Sequence, residues 1–353
     1  MNFVKALLAK GYEVHTIAPQ DDYTHYLIDA GCIHHAIRMD SRGANPIKDS
    51  ALIIELYSIY KKVKPDIILH YTIKPNVYGT IAATLLRIPV VNNVCGLGTV
   101  FLKSNLVSAF AILLYKLTFR FPKKVFFQNP EDLKLFQAKK LVPAHTADLL
   151  PGSGIDLEKF SPIEFNRNKS FTFLLISRLI TDKGVLEYIE AVKKLRVQGL
   201  DARFQILGAK DPQHKRGIKL KVIDDWINSG TIEYLGTTDD VRHFIGKADC
   251  IVLPSYREGT PRTLLEAASS SKPIIATDVP GCHNVVNHNI NGLLCQLKDV
   301  DDLADKMHEM ANLDNETLRR FGINGRKKVE LEFNETVVIN KYIDTLSNFK
   351  KAS

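Results

Sequence analysis

The sequence predicts an α/β protein of two doubly wound domains, and three observations carry that reading. The chain has 353 residues, which suggests two domains at roughly 150 residues each. Short β-branched runs alternate with helical patterns throughout, the mark of a parallel sheet with crossover helices. A stretch rich in Gly and Pro, Pro151-Gly152-Ser153-Gly154-Ile155-Asp156 followed by Phe160-Ser161-Pro162, separates two strand–helix sets and reads as an interdomain hinge. The expected divisions are residues 1–150, residues 151–335, and a carboxyl-terminal helix, 336–353, that packs back toward the first domain.

Taken in order, the first half offers strands at Glu13–Ala18, Ile67–Leu69, Val90–Asn92 and Lys124–Gln128. The second half offers Phe171–Ser177, Arg203–Leu207, Ile232–Leu235, Cys250–Leu253 and Pro273–Thr277. Ligands of such sheets bind at the carboxyl ends of strands, so two facing domains predict a cleft. The amino end departs from the pattern. Phe3, Val4, Leu7 and Leu8 form one helical face and Gly11 is a suitable C-cap, so Glu13–Ala18 reads as a second strand with no first. Its open edge would leave unpaired backbone beside Val14 and Ile17, and a natural start about 15–20 residues upstream is expected.

Composition excludes several classes. An apolar content of 45% with 24% charged residues is ordinary for a globular protein and argues against disorder. Five scattered cysteines contain no C-x-x-C pair, so a disulfide framework or zinc ribbon is not expected. Cys282-His283 with His288 and Cys295 fits no standard metal spacing. The first ten residues carry lysines and no continuous apolar core, so no secretory signal is expected. The longest apolar run, Leu106 to Tyr115 broken by Ser108, is too short to cross a bilayer. A cytoplasmic protein is the expectation.

The net charge of +8 is lopsided. Residues 1–150 hold 18 Lys+Arg against 11 Asp+Glu, whereas residues 151–353 hold 29 against 28. No acidic residue lies between Asp66 and Glu131, a stretch that carries Lys74, Arg87, Lys103, Lys116, Arg120, Lys123 and Lys124. A field of one sign concentrates an anionic partner, be it nucleic acid, a lipid headgroup or a phosphorylated substrate. No nucleic-acid motif accompanies the charge. Within Phe101 to Phe127 the cations mix with Phe110, Leu113, Leu114, Tyr115, Phe119 and Phe121. That mixture fits a helix on an anionic membrane surface, with residues 103–124 in contact, or a buried helix with a solvated rim.

Two segments carry chemistry. Glu258-Gly259-Thr260-Pro261-Arg262-Thr263-Leu264-Leu265-Glu266 follows the strand ending near Pro254 and sets two carboxylates with seven residues between them. Gly259 suits close backbone approach, Thr260 suits an N-cap and Pro261 the first helical position, so this helix start would face an anion such as a diphosphate. Glu266, inside the helix, could accept hydrogen bonds from a ribose diol. The second segment, Ser177-Arg178-Leu179-Ile180-Thr181-Asp182-Lys183-Gly184, places two cations after an apolar strand. Together they could grip both phosphates of a diphosphate and stabilise a leaving group, a task otherwise given to a metal.

These segments resemble the retaining glycosyltransferases of family 4, which have the two-domain GT-B fold. Gly154-Ile155-Asp156 with Phe160 and Pro162, Gly281, and Asn291-Gly292-Leu293 look like that family's pattern as well. The resemblance implies an acceptor-binding domain over 1–150 and a nucleotide-sugar domain over 151–335. It implies that Arg178 and Lys183 hold the diphosphate, Gly259 and Thr260 contact it through backbone, Glu266 binds ribose and Glu258 meets hydroxyls of the sugar. Glu258, Arg178 and Lys183 form the expected catalytic set, with retention of configuration and neither metal nor other cofactor. Tyr71-Thr72-Ile73-Lys74-Pro75-Asn76-Val77-Tyr78-Gly79 and Asn92-Asn93-Val94-Cys95-Gly96-Leu97-Gly98-Thr99 look like bacterial enzymes that extend lipid-linked glycans for capsule, O-antigen or protein. The donor would be a hexose or N-acetylhexosamine, expected on UDP, and the acceptor a saccharide on undecaprenyl diphosphate. Lys74, Asn76 and His70 are the expected acceptor residues, with Asn92 and Asn93 where many relatives have histidine. The enzyme would sit at the inner face of the cell membrane. Two other readings stand beside this one. A nicotinamide oxidoreductase would need a Gly-x-Gly-x-x-Gly that is absent, and an impaired, truncated glycosyltransferase-like protein would follow from the missing strand.

Overall fold

The computed structural model describes residues 1–39, 45–97 and 106–350. They fall into two compact units, Met1–Leu150 with Thr336–Ser353, and Pro151–Glu335. Lys103, Phe101, Gly98 and Thr99 lie outside the described residues.

Unit 1 opens with α1 (Asn2–Ala9), β1 (His15–Ala18), α2 (Thr24–Asp29) and β2 (Ile33–Ala36). Helix α3 (Pro46–Val63) starts at Asn45, whose side chain accepts from the Ile47 and Lys48 amides while Pro46 supplies a pre-set φ. After β3 (Ile68–Tyr71) a π-turn, Pro75–Gly79, runs into α4 (Thr80–Leu85) and β4 (Val90–Val94). Then come α5 (Leu106–Thr118), β5 (Lys124–Phe127), α6 (Pro130–Ala138) and β6 (Ala147–Leu149). Strands β3 to β6 form one parallel sheet in chain order. Among the described residues β1 pairs with β2 alone, and no ladder joins that pair to the sheet. Ile17 of β1 packs on the core of α3 with Ile68, while Val14 and Leu69 pack toward α1 on the other side.

Unit 2 contains β7 (Phe171–Ile176), α7 (Val185–Val197), β8 (Ala202–Leu207), α8 (Leu220–Asn228), β9 (Glu233–Tyr234) and α9 (Arg242–Lys247). It continues with β10 (Cys250–Leu253), α10 (Arg262–Ser269), β11 (Ile274–Thr277), α11 (Cys282–Val285), β12 (Gly292–Cys295), α12 (Val300–Asn312) and α13 (Asn315–Glu332). All six strands are parallel, in the order β12-β11-β10-β7-β8-β9. Strand β7 is buried at every position, as a central strand covered by helices on both faces must be. The chain winds outward from β7 through β8 to β9 and then returns to lay β10 on the other side of β7. The switch point of this sheet is therefore between β7 and β10, where the following loops diverge and open a crevice.

Helix α14 (Glu335–Lys350) returns to unit 1. Its Lys341 Nζ donates to Asp148 Oδ1 at 2.8 Å and to the Leu149 carbonyl at 2.7 Å. The buried Tyr342 hydroxyl donates to Asn93 Oδ1, and its ring packs edge-on to Phe126.

Candidate active site

The two segments read as chemical follow the two strands that flank the switch point of unit 2. After β7, Arg178 leads into a single 3-10 turn, Thr181–Lys183, and Gly184 closes it at φ +70°. A Cβ at Gly184 would stand 2.0 Å from the Pro254 carbonyl oxygen, so only glycine lets the loop after β7 lie against the end of β10. The two loops are stitched together. Asp182 O accepts from the Tyr256 amide at 2.9 Å and from Ser255 Oγ at 3.2 Å. Tyr256 Oη donates to Glu187 Oε1 at 2.6 Å, and Arg216 pairs with Asp182.

That stitching brings Lys183 and Glu258 together. Lys183 Nζ donates to Glu258 Oε1, which also accepts from Ser255 Oγ at 2.6 Å. A third loop completes the wall. The Glu258 amide donates to the Pro280 carbonyl at 3.2 Å, and a Cβ on Gly281, at φ +87°, would fall 2.6 Å from the Gly259 oxygen. The Arg178 side chain is 56% exposed, with Asp211 Oδ2 3.8 Å from Nη1. Such a guanidinium is open to an incoming phosphate, whereas Lys183 already has an anionic neighbour.

Helix α10 begins one residue later than the sequence suggests. Its first helical residue is Arg262, Pro261 occupies the cap at ψ 118°, and no side chain caps the helix. Thr260 is thus not the N-cap; it stands in the loop, where its side chain meets Gly152 of the hinge segment, so closely that a Cβ there would lie 2.7 Å away. Glu266, on the second turn, is nearly buried and receives Arg262 Nε at 2.8 Å. Burial pushes its carboxyl above the usual range, and Arg262 pulls it back.

Of the acceptor residues expected in unit 1, His70 and Asn76 are buried, and so is Asn92 beside them. His70 Nδ1 donates to Asn92 Oδ1 at 3.0 Å, and Nε2 accepts from Tyr60 Oη at 3.0 Å. Desolvation lowers its pKa to about 4, so the ring is neutral. Asn76 Nδ2 donates to the Asn93 carbonyl at 2.8 Å, and Asn92 Nδ2 to the Asn76 carbonyl at 3.1 Å. This network ties the π-turn to β3 and β4. Lys74 remains at a surface: it pairs with Asp49 at 2.7 Å and lines a cavity of about 540 Å³ together with Arg38, Lys48 and Glu55. The sequence reading missed Asp49, Ser255 and Asp211. Ser255 had one local signal, its place after the strand end and three residues before Glu258.

Two family profiles match the chain: Glycosyl transferases group 1 over residues 156–328 and Glycosyl transferase 4-like over residues 1–129. An Escherichia coli protein named UDP-Gal:alpha-D-GlcNAc-diphosphoundecaprenol alpha-1,3-galactosyltransferase is 30% identical, over 87% of this chain and 82% of its own. The chain belongs to the group 1 glycosyl transferases. A Campylobacter jejuni protein, N,N'-diacetylbacillosaminyl-diphospho-undecaprenol alpha-1,3-N-acetylgalactosaminyltransferase, is 29% identical to this glycosyltransferase over 97% of the chain and 93% of its own. Among solved structures, a glycosyltransferase from Rickettsia africae superposes with a TM-score of 0.80 at 19% identity, covering 99% of this chain and 94% of that one. HepE of Anabaena, solved with UDP and glucose, gives 0.79 at 17% identity, covering 98% and 94%. The fold is GT-B, built from two Rossmann-like units.

Proposed function

We propose that this glycosyltransferase moves a hexose or N-acetylhexosamine from a UDP-linked donor to a saccharide carried on undecaprenyl diphosphate, with retention at the anomeric carbon. One observation in the chain carries the donor half of this reading. Lys183 of the loop after β7 meets Glu258 of the loop after β10 at the switch point of unit 2, the place where a doubly wound sheet binds nucleotides. In this reading Arg178 and Lys183 hold the diphosphate and stabilise it as it leaves, Glu266 accepts from the ribose hydroxyls, and Glu258 orients the sugar. In this reading the two cations stabilise the charge that develops on the departing diphosphate, a task otherwise given to a divalent metal. The names of the relatives support the acceptor half: both describe alpha-1,3 transfer to a diphosphoundecaprenol-linked sugar. An α product from an α-linked nucleotide sugar is retention.

The membrane contact belongs to the same proposal. Helix α5 turns Tyr115 inward, against Phe119 and Phe136, and leaves Phe110, Leu113 and Leu117 about half exposed. Lys116, Arg120 and Lys123 flank that apolar stripe, and no described helix is long and apolar enough to cross a membrane. A stripe of this kind lies in an anionic interface and brings the enzyme to a lipid-borne acceptor at the inner face of the cell membrane. The deciding experiment is a donor screen with a short-chain diphospho-lipid saccharide, read by product mass and by the anomeric coupling of the new bond. A product that carries an added hexose with α configuration is expected. Nucleotide release with no acceptor product, or a β linkage from an α donor, overturns the reading.

A further inference from the structure

Unit 2 holds a second cavity that the donor chemistry does not use. It measures about 320 Å³ and lies between the segment 159–163, the start of α9 and the end of α10. Its walls carry Lys159, Arg242 and His243, one acid in Asp240, and the hydroxyl residues Ser161 and Ser270. Arg242 and Asp240 satisfy each other, with Nε to Oδ1 at 2.8 Å and Nε to Oδ2 at 3.0 Å. Lys159 lies over the Phe160 ring and its charge reaches the Asp240 and Glu266 carboxylates, and with Lys159 and Arg242 against Asp240 the cavity lining carries one net positive charge.

Ser270 supplies the second observation. It is 1% exposed, and its Oγ has no hydrogen-bond partner. Its neighbour Ser269, equally buried, donates Oγ to the Phe160 carbonyl at 2.6 Å. A buried hydroxyl left unpaired costs about 1–3 kcal/mol, so its retention calls for a partner. The site is also braced: the Ile163 amide donates to the Ser270 carbonyl at 3.2 Å, fixing the segment against the end of α10.

We propose that this cavity binds a small phosphate-bearing molecule, gripped by Lys159 and Arg242 and receiving a hydrogen bond from Ser270. The volume admits a phosphate on a small carbon skeleton. Ser270 stands one helical turn beyond Glu266 on the same face of α10, so the site adjoins the donor region without sharing Arg178 or Lys183.

The test is calorimetric titration of the full chain with inorganic phosphate, and separately with a hexose 6-phosphate, at constant ionic strength and with UDP saturating. Binding of both in the presence of UDP is expected. Tighter binding of the sugar phosphate marks a metabolite as the occupant, and equal binding marks phosphate itself. Lys159→Gln and Arg242→Gln should each weaken binding about tenfold, the worth of one charge-assisted contact. Ser270→Ala should weaken binding with no loss of melting temperature, because it removes only an unpaired hydroxyl. Absence of binding, displacement by UDP, or binding unchanged in all three variants overturns the proposal.

Discussion

Replacing Lys183 by alanine separates two jobs that its side chain is positioned to do. In the free protein it pairs with Glu258, and the two side chains are 25% and 13% exposed. Losing one partner of a fully buried pair costs about 3–5 kcal/mol, and of an exposed pair about 0–1. Glu258 keeps Ser255 as a donor and some access to water, so a cost of about 1–2 kcal/mol follows. That corresponds to a drop of roughly 2–8 °C in melting temperature for a unit of this size. If, as proposed, Lys183 makes a charge-assisted contact to the donor diphosphate, its loss should lower kcat/KM by about ten- to a hundredfold. Glu258→Gln distinguishes the two jobs. If Lys183 serves only to clasp Glu258, then Lys183→Ala costs nothing further in that background. If it holds the diphosphate, most of its loss persists there. Nucleotide release and thermal melting on the four proteins of the cycle give both quantities. Turnover within twofold of the parent in Lys183→Ala, or a loss that vanishes entirely in the Glu258→Gln background, refutes the assignment.

Three further outcomes follow from the geometry. If Arg178 and Lys183 carry the diphosphate charge as proposed, a chelator should leave turnover unchanged; activity abolished by chelation and restored by magnesium contradicts this. His70, neutral in the fold with a pKa near 4 against an ordinary 6.5, binds its proton more readily when unfolded. Stability is therefore whole above about pH 6.5 and declines by up to about 3 kcal/mol as pH falls toward 4, a slope that His70→Gln should flatten in acid melts. Changing Lys116, Arg120 and Lys123 together to glutamine should weaken sedimentation with anionic vesicles about a hundredfold, at about 1 kcal/mol per cation, and unchanged sedimentation would show that α5 does not meet the membrane.

The strands most plainly legible in the sequence are those whose side chains are buried on both faces. Cys250–Leu253 is an unbroken apolar run and Phe171–Ile176 is interrupted only by Thr172, since burial on two sides leaves little room for polar alternation. Gly292–Cys295 was missed although it is apolar and almost wholly buried, because four residues opening on a glycine read as a loop, and the other two missed strands have no such run. Ile33–Ala36 holds two adjacent histidines and is partly exposed, and Ala147–Leu149 has three residues, one of them the aspartate that meets Lys341. The setting of the histidine was hidden for a related reason. A polar residue at a strand end looks alike whether it faces a ligand or a neighbour. Only the packing shows that both ring nitrogens of His70 are consumed by Tyr60 and Asn92.

The candidate site was legible as two fragments and not as one site, and strand order is the reason. Spacing alone shows that Arg178 and Lys183 follow one strand and Glu258 follows another. It does not show where β10 enters the sheet. Had β10 been added beyond β9, two strands would separate its loop from that of β7, placing the loops about 14 Å apart at about 4.8 Å per strand. A lysine side chain, about 6 Å long, does not span that distance. Because β10 pairs directly with β7, Val252 lies opposite Leu175 and the loops leave neighbouring strand ends. Gly184 then lets them touch at Pro254, and Lys183 meets Glu258. An alanine at Gly184 should therefore disturb the site more than its distance from the substrate suggests. Its Cβ would collide with the Pro254 carbonyl, and the left-handed φ adds about 1 kcal/mol of strain. The loops would part and kcat/KM would fall alongside melting temperature, whereas a Gly184→Ala enzyme with parental turnover would show that the contact between the loops is incidental to catalysis.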